Sequence, residues 1–381
     1  MSIDHRDKHI IIVGGGPVGL FLGIGLLRKN IPCTIIEKRK DPVPDSRSLG
    51  IHPVSLDLFD DLGITADFLN RGLKIQKGIA FTDDGKIGEI SFENCPKPHN
   101  YILACPQSVT ESILRDQIRM IDPEVLITEA EFQHFTEDAE GISVIFSKGG
   151  QDQSVEGSYL VGCDGKNSLV RQKASIHYSG KRYPDTYIMG DFEDTTGFGA
   201  DAAVYLHSAG LIECFPLPNG MRRWVAKTDE YIPEPDTELL AEIILYRCNI
   251  DLSKVSHTML SSFGVQHFMA ESLVKGRVIL AGDSAHVVSP IGGQGMNLGW
   301  VGAIELLSEL TKKAPDLASY HKKQRSIASK VARRAEINMK LGRARRISLF
   351  RNLIIRTMLS PLFRDLTAKL FTMRGLKNWW I

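Results

Sequence analysis

The 381-residue sequence has no CxxC pair, no His/Cys cluster at metal-ligand spacing, no internal repeat and no low-complexity linker. Its six cysteines (Cys33, Cys95, Cys105, Cys163, Cys214, Cys248) are scattered, which predicts reduced, mostly buried thiols of an intracellular protein and no metal site. Long apolar runs are scarce too. The one candidate, Ile10 to Leu27, spans about eighteen residues, just enough to be considered as a membrane span, but Gly14, Gly15, Gly16, Gly19 and Pro17 suit a turn better. A secretion signal would want a basic start and a small-residue cleavage site. Here Asp4 and Asp7 offset Arg6 and Lys8, and Arg28 and Lys29 follow directly, so the segment is expected to be folded and cytoplasmic.

The formal net charge is only +1, yet it is unevenly spread. Residues 321–381 hold 16 Lys and Arg against Glu336 and Asp365, a net +14, while the first 320 residues hold 30 basic and 43 acidic side chains, a net −13. Such a tail either packs on an acidic face of its own protein or meets an anionic partner such as a lipid surface. Nucleic acid is the weaker partner, because the basic residues interleave with large aliphatic ones and no nucleic-acid motif accompanies them.

What the sequence does have is patterned glycine. Apolar residues 10–13, then Gly14-x-Gly16-x-x-Gly19, then a helical pattern over 20–30 fit a dinucleotide-binding strand, turn and helix. The first glycine permits the tight turn, the second lets backbone amides approach a pyrophosphate, and the third packs helix on strand. A second apolar strand, 33–36, ends in Glu37, an acid placed to accept both ribose hydroxyls of an adenosine. Farther on, VGCDGKNSLVR (161–171) repeats strand, tight Asp-Gly turn and helix, a pattern equally common as ordinary structure. GRVILAGDSAHVVSPIGGQGMNLG (276–299) delivers Asp283 to a strand end and opens a helix with a second glycine cluster, which a simple cap does not explain.

Between the motifs, Pro53 and Gly63 bracket a short helix, residues 75–99 read as strands and turns, and a helix starts with Pro106 at its first position. Strands are expected at 125–128, 142–146 and 159–162, with KGGQDQ as a polar turn. Residues 183–268 read mostly as short strands. At 43% apolar content, the chain suffices for two intimately packed domains or one large one with an insertion.

The three motifs, in this order and spacing, resemble the single-component (class A) FAD-dependent aromatic hydroxylases of the p-hydroxybenzoate hydroxylase type. The resemblance implies an α/β fold: a Rossmann-type FAD-binding domain (1–74, 100–182 and 269–320), an interleaved β-sheet substrate domain (75–99 and 183–268) and basic amphipathic C-terminal helices (321–381). It also implies that Gly14, Gly16, Gly19 and Glu37 hold the ADP part of FAD, that Asp164 and Gly165 form a turn associated with FAD and NAD(P)H, and that Asp283 binds the ribityl chain. Arg47 matches an arginine near the flavin and its entry route, and Gln107 a glutamine beside the cofactor. Arg115, two turns on, matches less securely and reads equally as a surface residue.

Pro290, Gly293, Gly295, Met296 and Asn297 would lie against the flavin ring, with a helix N-terminus aimed at its N1–C2=O edge. Non-covalent FAD, reduced by NADPH or NADH, would react with O2 through a flavin C4a-hydroperoxide to hydroxylate an aromatic or polycyclic small molecule. Arg47 and Pro290 are the residues expected nearest the chemistry. No catalytic base is identified: His207, Tyr205, Arg222 and Arg223 read as structural or surface residues. The four tryptophans do not form the WxWxIP motif of the related halogenases. A reductase of the geranylgeranyl type and a non-catalytic flavin-binding accessory protein remain as alternatives.

Two readings of the tail stay open. Ile347, Phe350, Ile354, Met358, Leu362, Leu366, Leu370 and Met373 recur at helical spacing on either side of Pro361. These helices either cover the FAD domain or, with Trp379, Trp380 and Ile381, anchor residues 344–381 at the inner face of an anionic membrane, in which case the substrate would be lipophilic.

Overall fold

The computed structural model describes residues 8–43, 48–343 and 349–373. Ile10–Val13 is buried throughout, as a central parallel strand must be. It pairs in parallel with Cys33–Glu37 on one side and Tyr159–Gly162 on the other. Leu126–Thr128 and Val278–Leu280 extend the parallel sheet outward, and Val274–Lys275 closes one edge antiparallel. The mean direction of the strands sends three carboxyl ends to one rim: Val13, Gly162 and Leu280. Ligands of open α/β sheets bind there.

Each of these ends continues into one of the three sequence motifs. Pro17–Arg28 starts at N-cap Gly16 with Pro at its first position, and Gly295–Leu310 packs beside it. Trp300 Nε1 donates to the Pro17 carbonyl at 3.0 Å, and Phe21 and Phe59 pack around its ring. The helix expected from Pro106 runs Gln107–Ile121, with Pro106 as its cap rather than its first residue.

The segment after Tyr159–Gly162 departs from the expected run of short strands. Tyr178–Glu193 and His257–Ala270 are 16 and 14 residues long and pair with each other. They belong to an eight-stranded sheet that also holds Lys77–Thr82 and Gly85–Ser91. Tyr178–Glu193 crosses position 183, bent by a register shift between Arg182 and Thr186 where Pro184 withholds a ladder donor. A helix absent from the sequence reading, Thr237–Cys248, is capped by Asp236 and ends at left-handed Asn249. It covers the outer face of this sheet over Ile188, Ile212, Cys214 and Trp224.

The KGGQDQ segment is only partly a turn. Gly149 and Gly150 reverse the chain at φ +60° and +78°, and Gln151–Gly157 is already a strand of a separate three-stranded meander with Ala130–Glu137 and Ile142–Lys148.

The inner face of the large sheet carries Tyr187, Met189, Leu206, Leu211, Val225 and Phe263, packed against Ile291, Met339 and Ile355. The C-terminal helices Leu317–Gly342, Leu349–Leu359 and Arg364–Phe371 therefore sit over that face and over the last motif. The helical break expected at Pro361 is present. The single apolar stripe is not: Met373 is buried and Ile354 and Met358 are half-buried, whereas Leu362 is 82% and Leu366 58% exposed. Ile347, Trp379, Trp380 and Ile381 lie outside the described residues, as do the side chains of Phe350 and Leu370. Among the described residues no helix is long and apolar enough to cross a membrane, and no group of His, Cys, Asp and Glu could hold a metal ion.

Candidate functional site

The first glycine turn is shaped by close approach. Gly14 has φ +109°, and a Cβ there would lie 2.4 Å from the Cys163 carbonyl oxygen; a Cβ on Gly19 would lie 2.0 Å from the Gly14 oxygen. Gly16 differs, since a Cβ there meets nothing within 4 Å. The turn is thus tight against protein on one side and open on the side that faces the rim.

Glu37 stands at the end of the neighbouring strand and is buried. It accepts from Gly15 N (2.6 Å), Arg39 N (2.8 Å) and Arg39 Nε (2.9 Å). Burial alone would push its carboxyl up, but the Arg39 bonds and charge, with the Gly15 amide, hold it below the usual carboxylate range. Gln107 Nε2 donates to Glu111 at 2.9 Å, and burial raises the Glu111 carboxyl.

Arg115 is not a surface residue. It is 2% exposed, donates to the Lys40 carbonyl, and lies within the field of Glu37 and Glu111. Its Nε and Nη2 have no hydrogen-bond partner among the described residues. Idle donors on a buried cation are costly, and they fit an anionic ligand at this end of the rim.

The Asp-Gly turn is self-supporting. Asp164 Oδ2 accepts from Val170 N at 3.1 Å, Gly165 takes φ +80°, and Ser168 caps the short helix Leu169–Lys173. The more informative residue here is Arg171, which ends the VGCDGKNSLVR segment and lies on the short helix. Its Nη1 donates to the Ser284 carbonyl and its Nη2 to the Lys166 carbonyl, both at 2.9 Å, and its guanidinium lies 3.7 Å from the Tyr178 ring centre. Tyr178 Oη in turn donates to the Asp283 carbonyl at 3.1 Å. Main chain around Asp283 is thereby fixed while its side chain is left free. The Asp283 carboxyl bonds none of the described residues and is reached by solvent, although protein packed around the cleft pushes it up to about 6, with Lys166 pulling the other way.

Past Asp283 the chain turns at Pro290–Gly293, with Gly293 N donating to the Pro290 carbonyl at 2.8 Å. Asn297, one turn into the following helix, is fully buried. Its Oδ1 accepts from His52 N (2.8 Å) and Ser55 Oγ (2.7 Å), and its Nδ2 donates to the Gly50 and Gly293 carbonyls (2.9 Å each). The Asn297 side chain is spent on the scaffold, so only its main chain can face a ligand. His52 and His286, on either side of this segment, are pushed down to about 4 by burial and stay neutral.

Gly14, Gly16, Gly19, Glu37, Gln107, Arg115, Asp164, Gly165, Asp283 and the 290–297 turn thus share one rim. Arg47 lies outside the described residues. His207 pairs with Asp83, Tyr205 stacks on Phe81 and Arg222 holds Asp194 and the Asp201 carbonyl, all structural tasks.

Residues 7–335 match the family model described as FAD binding domain. The chain is 31% identical over 345 residues to an uncharacterized aromatic compound monooxygenase of Bacillus subtilis, covering 87% of this chain and 68% of that protein. It belongs to the FAD-dependent aromatic monooxygenases. The monooxygenase is also 29% identical over 335 residues to a rifampicin monooxygenase of Streptomyces venezuelae, covering 84% of this chain and 69% of the relative. Its fold matches the anhydrotetracycline hydroxylase of Streptomyces rimosus with a TM-score of 0.79 at 26% identity, over 96% of this chain and 76% of that one. The residues at the rim suit FAD: an unbonded Asp283 carboxyl, idle Arg115 donors and open space at Gly16 are the acceptor, donor and clearance that a ribityl diphosphate requires.

Proposed function

We propose that this monooxygenase takes electrons from NADH or NADPH and uses O2 to hydroxylate an aromatic or polycyclic small molecule. The supporting observation is that the motif carrying Asp283 and Pro290 runs directly into Ile291, which packs on the inner face of the eight-stranded sheet. Cofactor rim and substrate sheet therefore meet at one place.

FAD, when bound, supplies the redox chemistry between the nicotinamide and O2. The chain holds and shields it. Gly14, Gly16 and Gly19 with the N-terminus of Pro17–Arg28 face the diphosphate, Glu37 accepts from the ribose, and Gln107 and Arg115 donate nearby. Asp283 accepts from the ribityl hydroxyls; Asp164 and Gly165 act by shaping the adjoining turn. Pro290, Gly293, Gly295, Met296 and Asn297 present main chain and the positive end of a helix to the ring, favouring negative charge there and excluding water. No covalent link is needed. Replacing Asp283 with alanine should weaken FAD binding about 10- to 100-fold, the loss of one charge-assisted hydrogen bond, measured by fluorescence titration of apoprotein; unchanged affinity removes Asp283 from the site.

The overall reaction is tested by following NAD(P)H oxidation and O2 uptake with and without candidate aromatics. An aromatic that stimulates both and leaves with one added oxygen supports the proposal. Turnover of a substrate without O2 uptake, as in a reductase, contradicts it.

The tail supports a further part of the proposal, peripheral contact with an anionic membrane. Leu353, Leu362, Phe363, Leu366 and Phe371 are exposed beside Arg356, Arg364 and Lys369, the pairing of apolar and cationic side chains that holds a helix at a charged interface. Such contact would deliver lipophilic substrates. The protein should co-sediment with phosphatidylserine-containing vesicles at low salt, and the Leu362→Ser, Phe363→Ser, Leu366→Ser triple variant should not. Wild type remaining in the supernatant makes these helices a cover only.

A further inference from the structure

On the inner face of the eight-stranded sheet, the row Val204, Glu213, Val225 and Met189 is apolar except at Glu213. Glu213 on Gly210–Pro216 is flanked across the sheet by Val204 on one side and Val225 on the other, with Met189 beyond Val225. Along its own strand its same-face neighbours are Leu211 and Phe215. Asp191 and Asp185, on the strand of Met189, are both committed. Asp191 makes a two-pronged pair with Arg223 (2.7 Å each), and Asp185 one with Arg343 (3.0 and 2.7 Å). Glu213 has no hydrogen-bond partner among the described residues and is half-buried.

A second idle group lies nearby. The Tyr187 hydroxyl is buried, 1% exposed as a residue, and has no hydrogen-bond partner among the described residues. The negative charge of Glu213 acts on it, raising its phenol beyond what burial does alone. Two polar groups left unpaired on one apolar floor are costly unless something else completes them.

We propose that Glu213 is the base of the substrate cavity, taking the hydrogen of a substrate hydroxyl, with Tyr187 available to donate to the same oxygen. The assignment rests on the aromatic-hydroxylation reading. In the step, the substrate O–H bond breaks, the proton passes to the Glu213 carboxylate, and the electron pair stays on the oxygen. The ring gains electron density, which favours its attack on an electrophilic oxygen.

The surroundings suit this task. Burial pushes the Glu213 carboxyl up to about 7, where a base is ionised at working pH yet strong enough to hold a proton. The charged and titratable groups that face this region are mostly engaged elsewhere. On the sheet these are Tyr187, the Arg223–Asp191 pair, Asp185 and Lys227, whose Nζ donates to the Thr228 carbonyl. From the C-terminal helices come Arg343 on Asp185, Arg351 on the Leu206 carbonyl, and Glu336 with Lys181 and Lys340. Lys86 and Glu89 pair on the adjoining hairpin. Residues 289–293 carry no charge.

The test uses FAD-loaded wild type, Glu213→Gln and Glu213→Asp with a panel of phenols and naphthols, reading product, O2 uptake and pH profile. Wild-type kcat/KM should rise with pH through about 7. Glu213→Gln should lose that limb and fall about 100-fold, then recover as pH approaches the ionisation of the phenol itself. Glu213→Asp should keep a limb at reduced kcat.

A wild-type pH profile and full product yield in Glu213→Gln would overturn the assignment. So would a loss of FAD content or melting temperature in that variant that matches its loss of activity, which would make Glu213 structural. If wild type oxygenates no member of the panel while holding FAD, the hydroxylation reading fails first, and the assignment with it.

Discussion

Gly14→Ala should yield a protein that neither holds FAD nor reaches wild-type stability. The new Cβ would sit 2.4 Å from a carbonyl oxygen, and the residue would be held at φ +109°. Neither the backbone of Cys163 nor that of Gly14 can move without displacing the parallel strands they directly follow, to whose neighbours they are hydrogen-bonded. Backbone strain of this kind and overpacking each cost about 1–3 kcal/mol, so a loss of about 3 kcal/mol or more is expected by denaturant titration. Gly16→Ala provides the contrast. Its Cβ meets nothing within 4 Å, so the apoprotein should melt as wild type does while FAD affinity falls, because the methyl fills the approach to the diphosphate. Equal apoprotein stability in both variants would remove the distinction between the packed and open sides of the turn.

Asn297→Ala should be the most damaging change in the last motif, although the residue was expected to serve the cofactor. It strands the His52 amide and the Ser55 hydroxyl in a buried setting, and the Gly50 and Gly293 carbonyls in a part-buried one. Each unsatisfied group costs about 1–3 kcal/mol, less whatever water restores, so a total of roughly 4 kcal/mol is expected. Asn297→Asp should not rescue it, because a carboxylate cannot donate to the two carbonyls. Thermal melts of the apoproteins would check this; a shift confined to the FAD-loaded form would return Asn297 to a direct role.

The contrast between Gly14 and Asn297 indicates how much of the site could be read beforehand. Glycine spacing after an apolar strand has few folded solutions, so the first turn, its helix and Glu37 were legible from local pattern. Asp283 was legible for the same reason, since a buried strand followed by a Gly-rich helix start leaves an acid little structural work. Arg171 and Asn297 were not: both act on carbonyls more than a hundred residues away in the chain, and nothing in their neighbourhoods signals that. Arg115 was misjudged as equally at home on the surface because helical position alone does not reveal that Glu37 and Glu111 face it.

The large sheet was less legible still. Tyr178–Glu193 is interrupted by Pro184 and polar residues, which read as a boundary but form a bend within one long strand. Thr237–Cys248 is apolar on more than one face and lacks a clear helical stripe, so it passed as more strand. Glu213 sits among alternating apolar residues and was invisible as a site until the register put Val204 and Val225 beside it.

The most direct measurement is the origin of oxygen in the product. FAD-loaded protein, NAD(P)H and an aromatic that stimulates O2 uptake should be incubated under 18O2 in ordinary water, and the product examined by mass spectrometry. One 18O atom per product molecule, and none from H218O in the converse experiment, is the expected result. Conversion of the substrate with no label from 18O2 would contradict oxygenation.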